Sequence, residues 1–165
     1  MMARRKSNSS GQKGEKGGYA ALYHCVTRSQ TYIKLSAYAV KLLNDLLSQY
    51  NGSNNGDLGA SYTVMQKRGW KSKGTLSRSI KELLKADFIE VSRQGGRNLC
   101  SLYAFTFYAV DVCNGKIDIR PTTSPKSLWR NNEPLPDIAK LQKEKLARDD
   151  AKLTQAIIAR AKLAA

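Results

Sequence analysis

Between Lys67 and Arg97 the chain gathers side chains suited to one kind of chemistry, the holding of an extended polyanion. Lys67, Arg68, Lys71, Lys73, Arg78, Lys81, Lys85, Arg93 and Arg97 stand against three acids, Glu82, Asp87 and Glu90. Ser72, Thr75 and Ser77 are interleaved with them, short hydroxyls that bond to a phosphate oxygen or a base edge. Arg78 carries a fork that can bond a guanine at two points, a contact worth about 1–3 kcal/mol of discrimination. Lys71, Lys73 and the amides that open a helix at this point suit a phosphate. Lys81 and Lys85 lie farther along and are expected on the backbone, with Lys67 and Arg68 reaching it from the preceding helix. Arg93 and Arg97 flank a glycine-tipped turn from which a groove or a phosphate is in reach. A basic helix face in isolation is most often plain solvated surface. Here charge, helix order and the glycine turn coincide in one short window.

The whole chain shares the bias. Its 165 residues hold 28 Lys and Arg against 13 Asp and Glu, a net charge of +15. Residues 1–18 carry 5 basic and 1 acidic residue, residues 19–110 carry 12 and 5, and residues 111–165 carry 11 and 7. The excess therefore belongs to the folding part as well as to the ends, which favours an electrostatic footprint over a merely soluble tail. Membrane surfaces attract such charge too, so its sign alone selects no partner.

Other chemistries find little support. Cys25, Cys100 and Cys113 are odd in number and lack CxxC spacing, which predicts reduced thiols and no disulfide framework. With one histidine, His24, the chain lacks the ligands of a structural zinc site. His24 beside Cys25 evokes a thiol nucleophile, but neighbours on a strand point to opposite faces, so a buried, inert Cys25 is expected. Asp45, Asp57 and Asp149-Asp150 lack an acid–base or metal-binding setting, and no GxxxxGK[ST] phosphate loop exists. The sequence thus predicts a protein that is not an enzyme and needs no cofactor or metal. No apolar run approaches the roughly 18 residues of a membrane span, and polar Ser and Gly follow the basic N-terminus where a signal peptide needs an apolar segment. A cytoplasmic protein is expected, associated with the bacterial nucleoid when bound.

The elements that must position the basic window follow from periodicity. Residues 1–18, with Arg4, Arg5 and Lys6, have almost nothing to bury and are expected to form a disordered basic arm able to lie along phosphates or in a minor groove. Residues 22–33 read as a short extended piece with one helical turn. Ser36 is placed to cap a helix that buries Ala39, Val40, Leu43, Leu46, Leu47 and Tyr50 and ends at Asn51-Gly52. Leu58 reads as a remnant of a strand. Ser61 is placed to cap a second helix burying Val64 and Met65 and stopping at Gly69-Trp70, with Trp70 in the core. Ser72 caps a third, whose stripe is Leu76, Ile80, Leu83 and Leu84. Residues 88–93 and 99–108 read as strands joined at Gln94-Gly95-Gly96-Arg97-Asn98, where Gly-Gly would supply the positive φ of a tight turn. Residues 111–135 form a linker that packs back through Leu128 and Trp129, and residues 136–165 a C-terminal helix opened by Pro136 and Asp137.

Two helices with a short connection followed by a hairpin resemble the winged helix-turn-helix family. The resemblance is carried by residues 61–70, by Lys71-Ser72-Lys73-Gly74-Thr75-Leu76-Ser77-Arg78, by residues 81–89 and by Gly95-Gly96-Arg97, and covers about residues 35–108. It implies an α+β, mainly helical domain of three helices and a β-hairpin wing over residues 19–110. It also implies that the third helix enters a major groove while the wing presses on the neighbouring backbone. Tyr32-Ile33-Lys34-Leu35-Ser36, the helix after it, and Phe88-Ile89 with Leu102-Tyr103 resemble the winged helices at the front of plasmid and phage replication initiators. The leading expectation is a sequence-specific binder of double-stranded DNA, a transcriptional regulator of a mobile element. A replication initiator is the second, and a basic adaptor for an acidic protein the third. A second copy of the chain, joined through the C-terminal helix, is the other expected partner.

Overall fold

The structure, a computed structural model, describes residues 19–133 and 147–148. The chain divides into two units, Met1–Asn132 and Glu133–Ala165, and the architecture below is that of the first. The expected arm, with Arg4, Arg5 and Lys6, lies outside the described residues. Of the expected C-terminal helix, Ala147 and Arg148 are described, both helical.

Three serines open helices in the same way. Ser29 Oγ accepts from Tyr32 N before α2 (Gln30–Ile33), Ser36 Oγ from Ala39 N before α3 (Ala37–Leu47), and Ser72 Oγ from Thr75 N before α5 (Lys73–Lys85). Each satisfies an amide that the first helical turn leaves without a carbonyl. The remaining helices, α1 (His24–Thr27) and α4 (Tyr62–Gln66), are single turns. On α3 the buried stripe is Ala39, Leu42, Leu43, Leu46 and Leu47; on α5 it is Leu76, Ser79 and Leu83. Ser79 returns its hydroxyl to Thr75 O at 3.0 Å, so the small polar side chain is buried without losing a bond.

Strands β1 (Leu58–Gly59), β2 (Ile89–Arg93) and β3 (Leu102–Phe105) form one antiparallel sheet in the order β1-β3-β2. Central β3 is buried along its whole length and pairs Phe105 with Ile89 and Tyr103 with both Val91 and Leu58. The described part of the unit is an α+β fold whose core joins α3, α5 and the sheet through Leu42, Leu46, Leu58, Leu83, Phe88 and Phe105.

Several expectations need correction. Residues 22–33 hold two short helices, with Val26 of the first and Thr31 of the second buried and Cys25 exposed. A helical turn, unlike a strand, leaves Cys25 and His24 both outside. Val64 is exposed: α4 is one turn long, buries Met65 and packs Tyr62 partly against the core. The helix ending expected at Asn51-Gly52 closes at Leu47, and the second strand is four residues long. In the 94–101 loop neither Gly95 nor Gly96 has a positive φ; Asn98 does, at 61°. Gly95 is required for a different reason, since a Cβ there would lie 2.5 Å from Ser101 N and 2.8 Å from Leu99 O. Residues 111–132 do pack back through Trp129, buried with its ring stacked 6.0 Å from Phe88, and hydrogen bonds from Asp118 N to Ser92 O and from Thr122 N to Val110 O tie in the rest of the segment.

Asn55 fastens this outer strap. Fully buried, its Nδ2 donates to Phe105 O and Ala109 O at 2.9 Å, and its Oδ1 accepts from Phe105 N at 2.6 Å. Its own amide donates to Asp111 Oδ2 at 2.7 Å. Asn55→Ala would strand several backbone groups away from water. We expect it to lower the unfolding free energy by about 3 kcal/mol, as a reduced urea midpoint at unchanged slope; an unaltered midpoint would contradict this role.

Candidate nucleic-acid interface

The connection between α4 and α5, residues 67–72, is short and tightly held. Met65 O accepts from both Arg68 N (2.9 Å) and Trp70 N (3.2 Å), and Gly69 takes a φ of 85°, where a Cβ would be strained. Trp70 is driven inward, and its indole Nε1 donates to Asp45 Oδ2 of α3 at 2.7 Å. The same carboxylate receives Lys41 Nζ at 2.6 Å and faces Arg68 Nη1 at 3.5 Å. Lys41 closes the knot by donating to Arg68 O at 3.0 Å and lying 5.2 Å from the centre of the Trp70 ring. One carboxylate thus anchors both the buried aromatic residue within the connection and a cation two residues before it.

A second tie sets the far side of α5. Glu82 accepts from Ser36 N at 2.6 Å and from Ser36 Oγ at 2.7 Å. An acid of α5 therefore completes the N-terminal cap of α3, where a negative charge also complements the helix dipole. Tyr62 of α4 adds a third link, its hydroxyl donating to Lys71 O at 3.2 Å and its ring lying 5.4 Å from Lys73 Nζ.

With α5 held in this way, Gly74, Ser77, Arg78, Lys81 and Lys85 point to solvent, at the i, i+3, i+4, i+7, i+11 spacing of one helical face. Among the described residues, Ser77, Arg78 and Lys81 have no side-chain hydrogen bond or ion pair. Lys67, Lys71 and Lys73 are exposed beside the start of the helix, and Arg97 is exposed in the 94–101 loop. Three expected contacts have other employment. Ser72 Oγ caps α5. Arg68 leans on Asp45. Arg93 is turned into the fold, donating from Nη1 to Lys116 O at 3.2 Å and from Nη2 to Cys100 O at 3.1 Å, so it braces the base of the loop. Thr75 is half-buried at the edge of the exposed face.

Asp45 and Glu82, the two acids that orient the site, escaped the sequence reading. The i,i+4 spacing of Lys41 and Asp45 is visible in the sequence, but the partnership with Trp70 depends on a connection whose course no local pattern discloses. Elsewhere, burial pushes the Tyr108 hydroxyl up to about 12, with Tyr23 and Tyr50 adding to it. Burial likewise raises Tyr50, Tyr103 and Cys113. These groups stay uncharged at neutral pH and subtract nothing from the positive field of the unit.

No protein-family model, curated protein or solved structure matches the chain. No helix among the described residues is long and apolar enough to cross a membrane.

Replacing Asp45 by Ala removes the acceptor of a buried indole and the counter-charge of two cations. We expect a loss of about 2 kcal/mol in stability and faster hydrogen exchange at the amides of Arg68 and Trp70. Unchanged exchange at those two amides would show that the connection does not depend on the carboxylate.

Proposed function

We propose that residues 35–108 form a winged helix-turn-helix that binds double-stranded DNA, with α5 in the major groove and the 94–101 loop as the wing. The order α3, β1, α4, α5, β2, β3, the short connection before α5 and the loop between the two long strands support this reading. A major groove about 12 Å wide admits one α-helix, and α5 offers a face without apolar side chains.

The observation that carries the proposal is the disposition of the acids. All three in the basic window are tied within the fold and none stands in the outward row of α5: Glu82 lies on its flank, held by Ser36, while Glu90 is held by Lys126 Nζ at 2.8 Å and Asp87 by Asn132 Nδ2 at 2.8 Å. Ser77, Arg78, Lys81 and Lys85 are left as an outward row of donors with no acid among them. A merely solvated helix face has no need of such sorting, whereas a polyanion is repelled by any acid left in its path. Within this reading Arg78 is the base-contacting residue, Lys71, Lys73, Lys81 and Lys85 meet phosphates, and Arg97 serves the wing. Sequence-specific regulation of transcription is the role we assign. A replication initiator would instead footprint an array of repeats, and an adaptor for an acidic protein would show no steep salt dependence toward DNA.

Binding through about six phosphates should weaken roughly a thousandfold between about 50 and 200 mM salt. Arg78→Ala should relax preference at one base position, while Lys73→Ala should weaken all sequences alike and reduce the salt slope by about one. Arg93→Ala, by contrast, should lower thermal stability and leave that slope alone. Electrophoretic shift of single-base site variants across a salt series, with thermal melting of the Arg93 variant, checks these outcomes; a flat dependence would exclude the proposal, and identical behaviour of the Arg78 and Lys73 variants would overturn their assigned roles.

A further inference from the structure

The exposed face of α5 does not stop at the helix. Two adjoining hollows, of about 280 and 320 Å³, run along its flank and share Tyr38 and Thr75 in their walls. Tyr38 belongs to the first turn of α3, is 58% exposed, and its ring centre lies 6.1 Å from that of buried Trp70. The hollow on one side is lined by Lys71 and Ser72, the one on the other by Arg78 and Glu82. Lys41 also borders the first, but its ammonium is committed to Asp45 and Arg68 O.

A large, half-exposed aromatic ring between two exposed cations, Lys71 and Arg78, is chemically asymmetric. Neither cation has a side-chain ion pair among the described residues, so each is available to an anion. The ring offers an apolar face of the size of a sugar. Glu82, its oxygens held by Ser36, lines the Arg78 end, where an acid disfavours a phosphate. The Lys71 end, with the Ser72 and Thr75 hydroxyls nearby, has no such acid in its lining.

Resting on the DNA-binding reading above, we propose that Tyr38 is an additional contact of this interface. Its ring packs against the deoxyribose of the strand that borders the occupied groove, and Lys71 holds the adjoining phosphate. The occupant is the sugar–phosphate strand of a duplex. An inserted base is a poorer fit, because Trp70, at 3% exposure, presents no second ring surface to sandwich it. α3 thereby supplies a contact as well as a scaffold, and the Ser36–Glu82 tie fixes the distance between Tyr38 and the exposed face of α5.

The test uses the full chain and a duplex carrying a site selected from a random pool, compared with single strands of the same sequence. Tyr38→Ala should weaken duplex binding roughly tenfold, with the salt slope unchanged because no charge is removed. Tyr38→Phe should keep the wild-type affinity, and Lys71→Ala should lower the slope by about one. Hydroxyl-radical cleavage, which reads deoxyribose exposure directly, should show sugars protected by the wild type and Tyr38→Phe but open in Tyr38→Ala. Wild-type affinity and protection in Tyr38→Ala, alongside weakened Arg78→Ala, would overturn this inference and leave DNA binding standing. Equal losses in Tyr38→Ala and Tyr38→Phe, or a loss confined to single strands, would also overturn it. Failure of the wild type to bind duplex DNA would remove both readings.

Discussion

The carboxylate of Asp45 is the point at which α3 and the 67–72 connection are made to agree. It accepts the Trp70 indole, pairs with Lys41 on its own helix and faces the Arg68 guanidinium. A largely buried carboxylate is costly unless its lone pairs are occupied, and here two cations and an indole occupy them. Because Arg68 and Trp70 both lie in the connection after α4, satisfying one acid also fixes the course of the chain into α5. The orientation of α5, and with it the direction of Arg78, follows from that demand together with the burial of Leu76 and Leu83.

The unit handles charge by giving its acids internal duties and leaving cations outside. Glu82 completes a helix cap, Asp111 receives the Asn55 amide, Asp118 receives Gln94 N and Asp57 pairs with Lys116. Each arrangement ties segments distant in sequence while giving the carboxylate a donor within the unit. Several of these bonds are exposed and are individually worth little. Their shared consequence is positional: the 94–101 loop is braced from behind by residues 116–118 through Arg93 and Asp118, and α5 is braced by α3.

Much of this fold was readable from local pattern. Ser36 and Ser72 cap the helices expected of them, though Ser61 makes no such bond; of the expected α5 stripe Leu76 and Leu83 are buried and Ile80 and Leu84 partly so; and Leu58 pairs in a two-residue strand. Those features depend on neighbours within a few positions. What escaped depends on partners far along the chain. Asn55 reads as ordinary turn chemistry until β3 arrives to receive its side chain, some 50 residues later. Gly95 looks like a residue chosen for a positive φ, yet it is the approach of Ser101 and Leu99 that excludes a larger side chain. Arg93 has the composition of a surface contact, and only the position of the strap beyond β3 turns it inward. In the candidate site the cations of α5 were legible because helical spacing alone groups them. Tyr38 was not, since nothing local says that the first turn of α3 borders α5.

The central claim is that the outward row of α5 meets duplex DNA. Backbone amide shift mapping of the isotopically labelled chain, titrated with a duplex, tests it most directly. The account predicts perturbations concentrated at Ser77, Arg78, Lys81 and Lys85 and in the 94–101 loop, with Asn55 and its partners on β3 little changed. Perturbations that leave α5 untouched and gather instead around the Tyr23, Tyr50 and Tyr108 cluster would contradict it.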